Sequence, residues 1–119
     1  MASAVRILEG SAGATFRLEC TDEAQLIPAE KLVDAYGRTA IGMLISVEDG
    51  TARFGFGGTV PVNFAEGEGD EDDTLSVGHV FDSGEHLGLA NVASMRSLRY
   101  IDGAGEVAGA LQVTVEFPA

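Results

Sequence analysis

The feature that most constrains the fold of this chain is a strict alternation of apolar and polar residues. Residues 110–117 show it most clearly, because Leu111, Val113, Val115 and Phe117 all fall on one side of an extended chain. Successive side chains of a β-strand point to opposite faces, so a period of two predicts a strand with one buried face. The same pattern recurs in three further segments, residues 4–8, 14–20 and 41–48.

Turn-forming residues separate the predicted strands. Asp49 and Gly50 lie between the strand-like residues 41–48 and 51–56, where Asp-Gly predicts a two-residue hairpin of type I′. Two further turns are predicted at residues 82–85, between strands at 77–81 and 86–92, and at residues 102–105, between strands at 95–101 and 107–117. Many short strands with turn residues between them predict an all-β fold, an antiparallel β-sandwich or a jelly-roll-like barrel.

One stretch is predicted to be helical. Residues 28–37 begin with Pro28 and end with Gly37, an arrangement typical of the two ends of a helix. Leu32, Val33 and Tyr36 would share one face and pack on a sheet. With no repeats and no linker, residues 1–119 are expected to form a single β-sandwich domain with one short helix.

The charge is strongly acidic, with 19 Asp and Glu residues against seven Lys and Arg and a formal net charge of -12. This balance argues against nucleic-acid binding and against binding to anionic membranes, since both need a basic face. Much of the charge falls in a predicted acidic loop at residues 65–74, for which a solvated segment is the favoured interpretation. Weak candidates for a cation site in this loop are Glu66, Glu68, Asp70, Asp72 and Asp73, although the spacing of an EF-hand is missing.

The remaining chemistry-bearing residues do not form a recognised catalytic motif. Cys20 is a single cysteine, which excludes an internal disulfide framework, and it is predicted to be a buried structural thiol. His79, Glu85 and His86 could hold a metal only if strand pairing brought them together, and ordinary strand residues are the favoured interpretation. The sequence therefore predicts no enzyme activity, no metal centre and no cofactor.

Three arginines are the candidate partner-binding residues. Arg53, Arg96 and Arg99 are all predicted to lie on strands rather than in loops. They could simply pair with the excess of carboxylates, which is the favoured interpretation. Alternatively, they could dock on an acidic partner surface through bidentate contacts with carboxylates.

The order of the short motifs gives a further clue. An apolar strand, an acidic residue and glycine at a hairpin, an Arg-Phe strand and a Gly-Thr-x-Pro turn follow one another from Gly42 to Pro61. A Gly-His strand, a Ser-Gly-Glu turn, a Leu-Gly-Leu strand and a closing apolar strand come next, at residues 78–81, 83–85, 87–89 and 111–117. Over residues 41–117 this order resembles small accessory virion proteins of tailed bacteriophages. The acidic loop and the helix-like residues 28–37 depart from that pattern.

The resemblance implies a structural virion protein, a capsid decoration or cement protein that binds the outer surface of the head and stabilises the shell. It would be made in the bacterial cytoplasm, located in the virion and assembled as a homo-oligomer, with a trimer favoured. Its partner would be the major capsid protein or another virion protein, and neither nucleic acid nor a membrane. The alternatives are a head–tail, neck or tail accessory protein and, from another class, a calcium- or carbohydrate-binding β-sandwich module.

Overall fold

The computed structural model describes residues 11–63, 76–104 and 107–118 and consists mainly of two antiparallel β-sheets. Both the strand predicted at residues 4–8 and the predicted acidic loop at 65–74 lie outside these ranges. The strands are β1 (Ser11–Ala12), β2 (Phe16–Glu19), β3 (Gln25–Leu26), β4 (Gly42–Glu48), β5 (Ala52–Gly55), β6 (His79–Phe81), β7 (His86–Leu89), β8 (Arg99–Asp102) and β9 (Ala110–Phe117). The predicted all-β sandwich is confirmed.

The strand order is that of a jelly roll. In the first sheet β1 and β2 both pair with β9, and β4 and β7 follow in that order. In the second sheet the order is β3, β8, β5 and β6. From β2 onward the chain changes sheet at each connection between consecutive strands, except from β5 to β6. This interleaving joins the two sheets through their corners and is the double-sheet arrangement of two Greek keys.

The core lies between the sheets and is built by the alternation seen in the sequence. β4 and β9 pair along their length, from Gly42 opposite Glu116 to Glu48 opposite Ala110. Their inward side chains are buried, as are those that face them from the second sheet. They include Met43, Ile45 and Val47 of β4, Leu111, Val113 and Val115 of β9, and Phe54 and Tyr100 of the second sheet.

The hairpin predicted at Asp49 and Gly50 is wrong. The turn is present, and Asp49 has a positive φ of 66°, but β4 belongs to the first sheet and β5 to the second. Gly50 turns the chain around the corner of the sandwich, where an added Cβ would lie 2.3 Å from the carbonyl oxygen of Val107. The turns predicted at residues 82–85 and 102–105 likewise join strands of different sheets.

The helix predicted at residues 28–37 is reduced to one short 3₁₀ turn, Ala29–Leu32. Leu32 is buried as expected, but the chain becomes extended at Val33, which forms an isolated bridge with Thr39. The α-helix is instead α1 (Val92–Ser97), inside the region predicted to be strands at 86–92 and 95–101. Asn91 caps α1 by accepting a hydrogen bond from the Ser94 N–H, and Met95 and Leu98 are buried in the core.

Candidate partner-binding surface

Two of the three candidate arginines lie on one face of the second sheet. In the β5–β8 ladder, Phe54 opposes Tyr100, and both side chains point into the core. Arg53 opposes Ile101, and Gly55 opposes Arg99. Since neighbouring residues of a strand point to opposite faces, Arg53 and Arg99 point outward, in diagonal positions of adjacent strands. We call the outer face of the second sheet the arginine face.

The prediction that the third candidate, Arg96, lies on a strand is wrong. It lies in the last turn of α1, exposed, three residues before Arg99. The local reason is the cap at Asn91, which starts a helix where the apolar pattern alone favours an extended chain. The side chains of Arg96 and Arg99 therefore belong to the same end of the sandwich.

Residues 59–63, the crossing segment, run over part of the arginine face. Two glycines permit this close approach. An added Cβ at Gly55 would lie 2.2 Å from the Thr59 carbonyl oxygen, and one at Gly78 would lie 3.2 Å from Cβ of Pro61. Pro61 is buried, and so is Ile101, although Ile101 faces outward from the sheet.

Arg53 holds the crossing segment on the sheet. Its Nε donates to Oδ1 of Asn63 at 2.6 Å, and its Nη1 donates to the carbonyl oxygen of Gly78 at 2.9 Å. Asn63 in turn donates through Nδ2 to the carbonyl oxygen of Asp102 at 2.7 Å and to Oδ1 of Asp102 at 3.1 Å. Arg53 thus has a structural role, closer to the favoured interpretation than to docking.

Arg96 and Arg99 differ from the other cations of the described chain. Within the ranges that the structure covers, neither side chain has a hydrogen bond or an ion pair, and Nε of Arg99 is buried without a partner. The other cations of these ranges are engaged. Arg17 contacts Glu19, Glu48 and Asp49, Arg38 contacts Asp34, and Lys31 lies 5.0 Å above the ring of Phe16. The pairing with carboxylates that the sequence favoured is therefore not seen for Arg96 and Arg99.

Exposed apolar side chains surround the arginines. Leu26 opposes Arg99 in the β3–β8 ladder and is 45% exposed, and Val80 opposes Arg53 in the β5–β6 ladder and is 43% exposed. On the crossing segment, Val60 is half exposed, and Val62 forms a bridge with the similarly exposed Val77. Adjacent exposed apolar residues are typical of interaction sites when polar groups surround them. Sequence reasoning did not identify these apolar residues, although Val60 and Val62 flank Pro61 in the Gly-Thr-x-Pro region.

Charge is distributed unevenly between the two ends of the sandwich. The end where β4 passes into β5, here called the acidic end, is also reached by the turns after β2, β6 and β8. Eight carboxylates of the described residues lie there: Glu19, Asp22, Glu23, Glu48, Asp49, Asp82, Glu85 and Asp102. Arg17 is bound among them, and its hydrogen bonds with Asp49 and Glu19 raise the pKa of its guanidinium above the usual value. Lys31, Arg38, Arg96 and Arg99 lie toward the opposite end, beside Glu30, Asp34 and the buried Glu116.

The structure does not bring the two histidines into one site. His79 is on β6 of the second sheet, with its ring 5.8 Å from that of Phe56, and His86 is on β7 of the first sheet, with Nδ1 3.2 Å from Oγ of Ser46. Glu85 accepts a hydrogen bond from the Asp82 N–H. In residues 11–63, 76–104 and 107–118 no three metal-binding side chains form a group. The weak cation candidates Glu66, Glu68, Asp70, Asp72 and Asp73 lie outside these ranges.

Cys20 lies in the core cluster, as the sequence predicted. Burial raises the pKa of its thiol to about 11, and the nearby carboxylates of Asp102 and Glu19 act in the same direction. The thiol therefore stays protonated near neutral pH and is a weak nucleophile.

A half-open cleft of about 230 Å³ lies on the other side of the molecule, between the β1–β2 edge and the 3₁₀ turn. It is lined by residues that include Phe16, Val115, Phe117, Lys31 and Asp34. Asp34 is bound by Arg38, and Lys31 by the Phe16 ring. Among the described residues, Arg96 and Arg99 are therefore the cations whose side chains have no hydrogen bond, ion pair or ring contact.

No helix of the described ranges has the length and apolar character needed to cross a membrane. Comparisons of the chain with protein-family models, with curated proteins and with solved structures find no match.

Proposed function

We propose that the chain is a structural virion protein of a tailed bacteriophage, a capsid decoration protein that binds the outer surface of the head and stabilises the shell. The observation that carries the proposal is the arginine face, where exposed apolar side chains lie on the same face as Arg99, whose side chain has no partner among the described residues. Arginine and apolar groups together are typical of protein–protein interfaces. The order of motifs from Gly42 to Phe117, which resembles phage accessory proteins, supplies the biological setting.

The architecture supports a binding role of this kind. The jelly roll occurs in viral capsid domains, but also in lectins and cupins, so the topology alone does not determine the function. Two features together favour a virion protein. The two sheets are joined at their corners, and the proposed binding face lies on a sheet rather than on loops. A surface on paired strands keeps its shape, so little ordering is needed when it binds.

The proposal also includes a homo-oligomer, with a trimer as the favoured state. A trimer would match the local threefold positions of an icosahedral shell. Sedimentation equilibrium of the purified chain measures this directly. A mass three times that of the 12.3 kDa chain is expected, and a monomer at every concentration would contradict it.

The test of function uses virions released from the bacterium that carries the gene. Gold-labelled antibody against the chain should mark the head surface, and a deletion of the gene should lower the temperature at which heads release DNA. Label on necks or tails would favour the head–tail or tail accessory role instead. Absence of the chain from purified virions would contradict both roles.

A further inference from the structure

We infer that Arg96 and Arg99, together with Leu26 and Val80, form the contact with the virion partner, and that the partner surface is acidic. This inference rests on the proposed function and specifies the chemistry of its contact. It also gives an orientation, since the acidic end would then point away from the partner.

The first step concerns Arg99. Its Nε is buried and has no hydrogen-bond partner, and a buried donor without an acceptor costs free energy in the isolated chain. The guanidinium as a whole is only partly buried, and its terminal nitrogens have no partner among the described residues either. A carboxylate from a partner could accept two parallel hydrogen bonds from these terminal nitrogens, so binding would give the Arg99 charge a partner that the described part of the fold does not supply.

The second step concerns the surroundings. Leu26 opposes Arg99 across the β3–β8 ladder, and Val80 extends the apolar surface beyond Arg53. A partner in contact with these apolar side chains would exclude water from the ion pair between Arg99 and its carboxylate. The lower local dielectric constant would strengthen that pair. Arg96, exposed on α1, adds a second positive charge at the same end.

The third step concerns long-range electrostatics. The chain has a net charge of -12, so an acidic partner would repel most of its surface. Within the described residues, the acidic end carries eight carboxylates with Arg17 bound among them, whereas the end that bears Arg96 and Arg99 also bears Lys31 and Arg38. Such a distribution orients an approaching molecule, because the repulsion is smallest when the arginines lead.

The experiment uses heads purified from a phage mutant that lacks the gene, to which the labelled full-length chain is added back. Binding is measured by cosedimentation at several salt concentrations for the wild type, Arg96→Glu and Arg99→Glu. Lys31→Glu is the matched control, because it makes the same change of charge at an exposed residue of the same end but outside the proposed contact, and so separates long-range charge from direct contact. Leu26→Asp tests the apolar part of the contact.

Each arginine variant is expected to bind at least tenfold more weakly than the wild type, with a shallower dependence on salt, while Lys31→Glu binds within twofold. Equal losses in all three charge variants would show an effect of net charge alone and overturn the inference. Unchanged binding of Arg96→Glu and Leu26→Asp would also overturn the inference. Because both residues are exposed, these two variants keep the test valid if Arg99→Glu fails to fold. Failure of the wild type to bind heads would instead overturn the proposed function.

Discussion

The β4–β9 pair and the arginine face show two different uses of the same strand alternation. In β4 and β9 the inward residues are almost fully buried, and their contacts are with other apolar side chains. On the arginine face, outward apolar residues such as Val80 keep more than two fifths of their surface, and a few hydrogen bonds hold the crossing segment. The inner layer therefore supplies stability, whereas the exposed apolar side chains of the outer face can be changed at small cost to the fold.

The largest difference between the two regions is expected for truncation of one side chain in each. Ile45→Ala, in the middle of β4, should lower the free energy of unfolding by about 2–5 kcal/mol, because it leaves a cavity in a closely packed core. Val80→Ala, on the arginine face, should change it by no more than about 0.5 kcal/mol. Urea denaturation followed by circular dichroism measures both values. Similar losses in the two variants would contradict the division of roles.

The pH dependence of stability should also come partly from the inner layer. The thiol of Cys20 has its pKa raised by burial from a usual value near 9 to about 11. In the unfolded chain the thiol loses its proton first, so the native state loses stability as the pH rises from about 9 to 11, by up to roughly 2–3 kcal/mol. Denaturation at several pH values should show this decline in the wild type and a smaller one in Cys20→Ala. The same slope in both proteins would assign the decline to other groups, such as Tyr100, whose pKa burial raises to about 12.

How far the sequence predicts this fold depends on whether a feature is local. The alternation identified β9 with its bounds and β4 to within one residue, since each side chain's face is set by its own position in the strand. The hairpin at Asp49 and Gly50 was wrong because the same turn residues serve a hairpin and a corner between sheets. The choice between them depends on β4 finding β9, about sixty residues later in the chain.

The candidate surface shows the same limit. The sequence singled out Arg53 and Arg99 from their residue type and strand context, and the structure places both on one face. The Arg53 side chain is bonded because Asn63 of residues 59–63 lies beside it, whereas the Arg99 side chain has no partner among the described residues. No local sequence pattern indicates where residues 59–63 cross the sheet. Arg96 was misplaced because a side-chain cap at Asn91 outweighs the apolar pattern around it.

A smaller effect is expected where the crossing segment lies on the arginine face. Gly55→Ala would place a Cβ 2.2 Å from the carbonyl oxygen of Thr59, so the segment must move, at a cost of about 1–3 kcal/mol. Gly57→Ala is the control. It meets nothing within 4 Å and bears only the cost of its positive φ of 65°, about 1–2 kcal/mol. If hydrogen exchange at the amides of residues 59, 60, 62 and 63 were unchanged in Gly55→Ala, the segment would not be held as the structure shows.

Loss of the Arg53 hydrogen bonds should cost about 1–2 kcal/mol. In Arg53→Met the Gly78 carbonyl and Asn63 lose their donor, while the aliphatic stem that covers the sheet is largely kept. Thermal denaturation measures the loss, and Asn63→Ala should reproduce most of it, because Asn63 joins Arg53 to Asp102. If the double variant showed the full sum of both losses, the two residues would not act through one shared contact.

The smallest effect on stability is expected at Arg99. The direction of the change in the free energy of unfolding distinguishes Arg99 from Arg53 on the same face. Arg99→Met removes a buried donor that has no acceptor in the described chain and keeps an apolar stem of similar length, so the free energy of unfolding should stay constant or rise by up to about 1 kcal/mol. Arg53→Met, in the diagonal position, should lower it. A residue whose removal leaves the fold intact or more stable is retained for something other than stability. Urea denaturation of the two variants side by side provides the test, and a clear loss of stability in Arg99→Met would mean that Arg99, like Arg53, serves the fold.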